Sequence, residues 1–175
     1  MPRPASSSAA LPIAFVVLRS LIVLNWLYGA AILVLLLAMP TEQWIMTSLG
    51  LSPSPETDRV IMGLHAIAVI GLVAVPINYV ILKRLLAIVE TVRARDPFVA
   101  VNARHLQAIG WALLVLQLLG LVIGAIVSAI STPAHPIDID AGFSINGWLA
   151  VLLTFLLARV FAEGTLMRDD LEGTV

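Results

Sequence analysis

The side chains with chemistry to offer are few and far apart. His65, His105 and His135 fall in three separate regions of the chain and cannot converge on one metal ion. His135 stands near Asp138 and Asp140, a trio expected to be a polar loop rather than a cation site. Cysteine is absent, which removes thiolate ligands, disulfides and a cysteine nucleophile. No Ser/His/Asp arrangement, phosphate-cradling loop or glycine-rich nucleotide motif occurs. The expectation is therefore a protein that is not an enzyme, with no catalytic, cofactor or metal site. The polar groups that stand out instead are uncharged and set inside long apolar runs: Asn25, Asn78, Gln117 and Thr154. Amides and hydroxyls there suit hydrogen bonds between helices. The other reading is a substrate pathway, whose supporting features are Pro76 and Asn78.

The segments that carry these groups place the chain in the membrane class. Of its 175 residues 60% are hydrophobic and 12% charged, against about 25% charged in a soluble domain. Mean hydropathy is +1.02. Four apolar runs, at residues 13–38, 60–82, 106–130 and 145–161, approach or exceed the ~20 residues that cross a bilayer. They show no period-two alternation, so helices are expected rather than a β-barrel. The predicted fold is one all-α membrane domain over residues 1–175, a bundle of four transmembrane helices. The first run is longer than the apolar core of a signal peptide, and no small-x-small cleavage site follows it; it is read as a retained span.

The loops orient the chain. The N-terminal tail and its flank, the stretch 83–105, and the C-terminal tail with its flank hold nine of the ten Lys and Arg residues. The positive-inside rule puts both termini and the 83–105 loop in the cytoplasm of a bacterial inner membrane. Arg19, two turns into the first span, should snorkel toward the N-terminal surface. Trp111 and Arg159 should mark the same boundary, and Trp44 and Trp148 the outer one. Thr41–Leu51 suits a short helix lying in the interface. Lys83–Arg95 keeps an apolar stripe and should extend the second helix beyond the bilayer. Five scattered basic residues in that loop make too small a footprint for direct nucleic-acid binding. They suit anionic lipid, or alternatively a soluble acidic partner.

Two patterns concern helix contacts. Asp96-Pro97 has helix-start chemistry, an N-cap followed by proline at the first helical position. Phe98, Asn102, Leu106 and Ile109 then fall on one stripe. The apolar members should pack on neighbouring spans, and the Asn102 amide should tie down the Phe161–Gly164 turn. Further on, Gly120, Gly124 and Ser128 share a face as a small-xxx-small track. That track packs inside the monomer, or makes a homodimer, or receives a partner's span. Asn25 and Gln117 both lie about 16–18 Å from their helix starts and should hydrogen-bond, directly or through one intermediate.

Pro97-Phe98, Asn102, Leu106, Ile109 and Gly110 together resemble the P-F-x-x-x-N-x-x-x-L-x-x-I-G signature of a family of small bacterial membrane proteins, domain of unknown function 2975. The ending Phe161-Ala162-Glu163-Gly164 with Asp170–Val175 is similar to the family's C-terminus. The resemblance covers the whole layout and implies no catalytic residues. Family members often look like companions of small helix-turn-helix transcription regulators. The resulting expectation is a small regulatory or interaction protein that controls such a regulator; the alternative is a small transporter or a transport-complex subunit.

Overall fold

The computed structural model describes residues 10–38, 55–94, 99–131 and 142–172. They form four helices: α1 (Ala10–Ala38), α2 (Pro55–Arg93), α3 (Ala100–Ile130) and α4 (Ile145–Glu172). No strand occurs among the described residues. All four helices are long and apolar enough to cross a membrane. In hydrocarbon each backbone N–H and C=O must find its partner within its own segment, and long aliphatic helices satisfy that condition. The fold is all-α, and the chain has the make-up of a multi-pass membrane protein. The interfacial segment Thr41–Leu51 and the His135–Asp140 loop lie outside the described residues.

The helices pack in chain order. α1 lies on α2, α2 on α3, and α3 on α4, and no other pair among them comes together. The result is an open antiparallel row, with α1 and α4 each contacting one neighbour. Large apolar side chains such as Val16, Leu27, Val34, Leu152 and Val160 are exposed along its outside. In water such a surface would aggregate; in a bilayer it is the solvent-facing surface.

Each interface contains a glycine that lets a neighbouring side chain approach. A Cβ on Gly29 would come 2.9 Å from Val75 across α1–α2, and one on Gly63 would come 2.7 Å from Ile130 across α2–α3. A Cβ on Gly110 would meet the Phe155 ring at 3.0 Å across α3–α4. Without a hydrophobic driving force between helices in lipid, close approach of this kind supplies the dispersion contacts that hold them.

The ends of the helices have local causes. Pro55 takes the first position of α2, where its missing N–H costs nothing. α3 does not start at Asp96. Its N-cap is Val99, extended at φ −114 and ψ 142 and without a side-chain cap. The Asn102 N–H closes the first turn on the Val99 carbonyl at 2.9 Å. Asp96, Pro97 and Phe98, where the sequence pattern places a cap and first turn, lie outside the described residues. α4 has a side-chain cap: Ser144 Oγ accepts from the Gly147 N–H at 3.2 Å.

Candidate functional site

The row has two unlike ends. Where α1 and α3 begin and α2 and α4 end lie Arg19, Lys83, Arg84, Arg93, Arg104 and Arg159. At the other end the described residues include one basic side chain, Arg59. The 39 residues of α2 span about 58 Å, against about 30 Å of hydrocarbon. The helix is thus about twice as long as the hydrocarbon is thick, and its last turns, from Lys83 to Arg93, are those the sequence pattern expects to project past the bilayer.

These projecting turns are tied to α3. Asn102 has no exposed surface, and its Nδ2 donates to Thr91 Oγ1 at 2.7 Å. The Thr91 hydroxyl in turn donates to the Ile88 carbonyl at 2.8 Å. At this point the face of α3 that carries Asn102 meets α2. Leu106, Ile109 and Gly110 continue inward from Asn102 and are also buried. Asn102, Leu106, Ile109 and Gly110, the described members of the signature, thus lie in the seams of the row.

A second tie runs beside the first. Arg84 Nη1 donates to His105 Nδ1 at 2.9 Å. Accepting at Nδ1 places the ring proton of the neutral imidazole on Nε2. α3 has 31 residues, and about 20 suffice to cross. His105 immediately precedes the apolar run 106–130 that the sequence reading takes as the span, and lies outside it. Burial, then the charges of Arg84 and Arg104, hold the His105 pKa below 6.5.

The remaining cations sit against aromatic rings or in a groove. The Arg19 guanidinium lies 4.9 Å from the Phe15 ring centre, and that of Arg93 lies 5.0 Å from the same ring. Arg19 is thus turned one helical turn toward the N-terminus, the direction in which it should snorkel. Trp26 and Tyr79 meet at 5.5 Å between α1 and α2, with the Lys83 ammonium 5.9 Å from Tyr79. Between α3 and α4 a groove of about 520 Å³ is lined by Arg104, Gln107, Phe155, Ala158 and Arg159, among others. Arg159 also pairs with Glu163 at 2.9 Å.

The mid-depth polar groups are not joined to one another. Asn25 Nδ2 donates to the Val75 carbonyl at 3.1 Å, next to Pro76. Gln117 Nε2 donates to the Ser144 carbonyl at 3.4 Å. The expected Asn25–Gln117 pairing fails because α2 stands between α1 and α3 in the row. Thr154 bonds its own helix at the Ala150 carbonyl, 2.7 Å. Asn78 is half-buried on α2. His65 bonds the Ile61 carbonyl at 2.8 Å within α2, far from His105. Among the described residues no three His, Asp or Glu side chains gather around a metal position.

The small track serves the turn into α4. Gly142 adopts φ +122, a left-handed conformation that favours glycine. Its carbonyl oxygen lies 3.8 Å from where a Cβ on Gly120 would stand, and the Gly124 Cα is 3.8 Å from its own Cβ position. Ser128 is exposed and bonds the Ala125 carbonyl of its own helix at 2.9 Å.

The sequence reading missed Thr91, Phe155, Phe15 and the Arg104–Arg159 groove. Isolated glycines inside apolar helices, Gly29 and Gly63, were the available signal for the close contacts.

Fold and seams together define a multi-pass helical membrane protein with one basic end. Residues 37–175 match the family described as protein of unknown function (DUF2975), and the chain belongs to that family. The match begins at the end of α1 and takes in the other three helices. No curated protein and no solved structure matches the chain.

Proposed function

We propose that this is a non-enzymatic regulatory protein of the bacterial inner membrane. Both termini and the 83–105 stretch face the cytoplasm, where the basic end holds a soluble transcription regulator. The observation that carries this reading is the basic C-terminal end of α2, a continuous helix fastened to α3 by Asn102–Thr91 and Arg84–His105. In this reading it stands beyond the hydrocarbon. A rigid cationic platform of this kind suits recognition of an acidic surface. The distribution of Lys and Arg supports the orientation, and the companionship of family members with helix-turn-helix regulators supports the partner class.

The membrane orientation has a direct test, because the chain contains no cysteine. Single substitutions Ser54→Cys and Ala94→Cys should label from outside and inside the cell respectively; the reverse accessibility would overturn the orientation. The partner is tested by co-purifying the detergent-solubilised protein with the soluble regulator encoded beside it. Loss of that complex in Arg84→Gln with Arg93→Gln is the expected result, and absence of any complex with the intact protein would refute the reading. A small transporter or transport-complex subunit is the second reading. It draws on Pro76, which removes one backbone hydrogen bond from α2 where Asn25 grips the Val75 carbonyl. Solute-dependent thermal stabilisation in detergent would favour it.

A further inference from the structure

We propose that the groove between α3 and α4 at the basic end is a binding site for one anionic phospholipid. The inference is independent of any soluble partner. The groove is built from two matched stripes. Ala100, Ala103, Arg104 and Gln107 line it from α3 and Phe155, Ala158, Arg159 and Ala162 from α4, each set at helical spacing on one face. Small alanines on both sides keep the helices from filling the space, and about 520 Å³ remains. That volume lies within the usual range for small-molecule sites, roughly 300–1,000 Å³.

The lining has the polarity of a phospholipid. Arg104 and Arg159 supply two guanidinium forks, which match phosphate oxygens. Against them stands Glu163, bonded to Arg159, so these three side chains leave the groove with a net positive charge. Below the arginines the walls are Phe155 and Ala158 with the Gln107 amide opposite, and the Phe155 ring packs edge-on to Trp111 at 5.4 Å. Trp111 is 56% exposed and stands about 10 Å further along α3 than Arg104. Exposed tryptophan settles at the membrane interface, so the arginines lie at or just outside headgroup depth, and the apolar walls continue into the hydrocarbon. A soluble acidic segment could reach the arginines but not the inner wall. A lipid fits both parts, and basic pockets between helices near the membrane surface hold anionic headgroups.

Glu163 gives the proposal a sign that misfolding cannot imitate. Its carboxylate competes with the lipid phosphate for Arg159. The test is native mass spectrometry of the intact protein in detergent with added phosphatidylglycerol or phosphatidylcholine, reading retained lipid. The wild type should retain phosphatidylglycerol in preference. Arg159→Gln should weaken retention about fivefold and the double variant with Arg104→Gln about 30-fold. Glu163→Gln should strengthen it, and Ala103→Phe should block it without changing charge. Lys83→Gln, on the α1–α2 side, should leave it unchanged. Glycerol phosphate should not compete; if it binds as well as the lipid, the apolar wall is no part of the site and the assignment falls. Equal retention of both lipids by the wild type overturns the proposal. So does an unchanged preference in the double arginine variant, or weaker retention in Glu163→Gln.

Discussion

The Asn102–Thr91 bond can be measured by a double-mutant cycle. Asn102→Ala removes a donated hydrogen bond, with a net worth of about 1 kcal/mol. It also empties the volume of three heavy atoms. A void on the order of 40 Å³ adds about 1 kcal/mol at roughly 24 cal/mol per Å³. The fully buried position of Asn102 leaves no water to refill either loss, so the single variant should cost about 2 kcal/mol. Thr91→Val keeps the shape and removes the hydroxyl that accepts from Asn102 and donates to Ile88; it should cost about 1 kcal/mol. The double variant should then cost about 2 kcal/mol rather than 3, a coupling near 1 kcal/mol. Interhelical bonds in membrane proteins average about 0.6 kcal/mol, which sets the lower end. Reversible unfolding in mixed micelles, titrated with dodecyl sulfate and followed by tryptophan fluorescence, reads all four corners. Ser128→Ala, whose hydroxyl bonds only within its own helix at an exposed site, is the control and should change little. A coupling indistinguishable from zero would mean that Asn102 does not hold α2 to α3, and the rigid basic platform would lose its fastening.

Gly63→Val should destabilise by about 1–3 kcal/mol through overpacking, because its Cβ meets Ile130 methyls at 2.7 and 2.8 Å; adding Ile130→Ala should recover part of the loss in the same assay. Asn25→Leu should cost about 0.6 kcal/mol through the lost bond to Val75, and a cycle with Gln117→Leu should show no coupling. His105 should make stability depend on pH. Its folded pKa is lowered from 6.5, so the folded state resists the proton that the unfolded chain accepts. Stability is then full above about pH 6.5 and falls as the medium is acidified toward the lowered folded value. His105→Gln should flatten that part of the profile, and identical slopes for the two proteins would show that the imidazole is not held neutral.

Much of the fold was legible because its causes are local. Four apolar runs long enough to cross dictate four helices, since hydrocarbon admits no unpaired backbone. The stripe Asn102, Leu106, Ile109 was legible as a packed face for the same reason: spacing along one helix decides which residues share a side. Helix starts were less legible. Asp96-Pro97 has the composition of a cap, yet Val99 is extended and α3 begins at Ala100.

By itself the sequence determined the membrane class, the number of crossing helices and the segregation of positive charge to one end. These follow from transfer free energies summed over short windows. Only the tertiary structure decided which faces meet. Equal depth suggested Asn25 and Gln117 as partners, but depth is one coordinate, and the lateral order of the row puts α2 between them. The same lateral order gives Asn102 to Thr91 and brings Arg104 and Arg159 to one groove from positions 55 residues apart in the chain. In lipid the outer surface of every helix is as apolar as its inner one, so hydrophobic periodicity does not separate them. The choice falls to glycine contacts and a few amide bonds, which exist only once two helices are side by side.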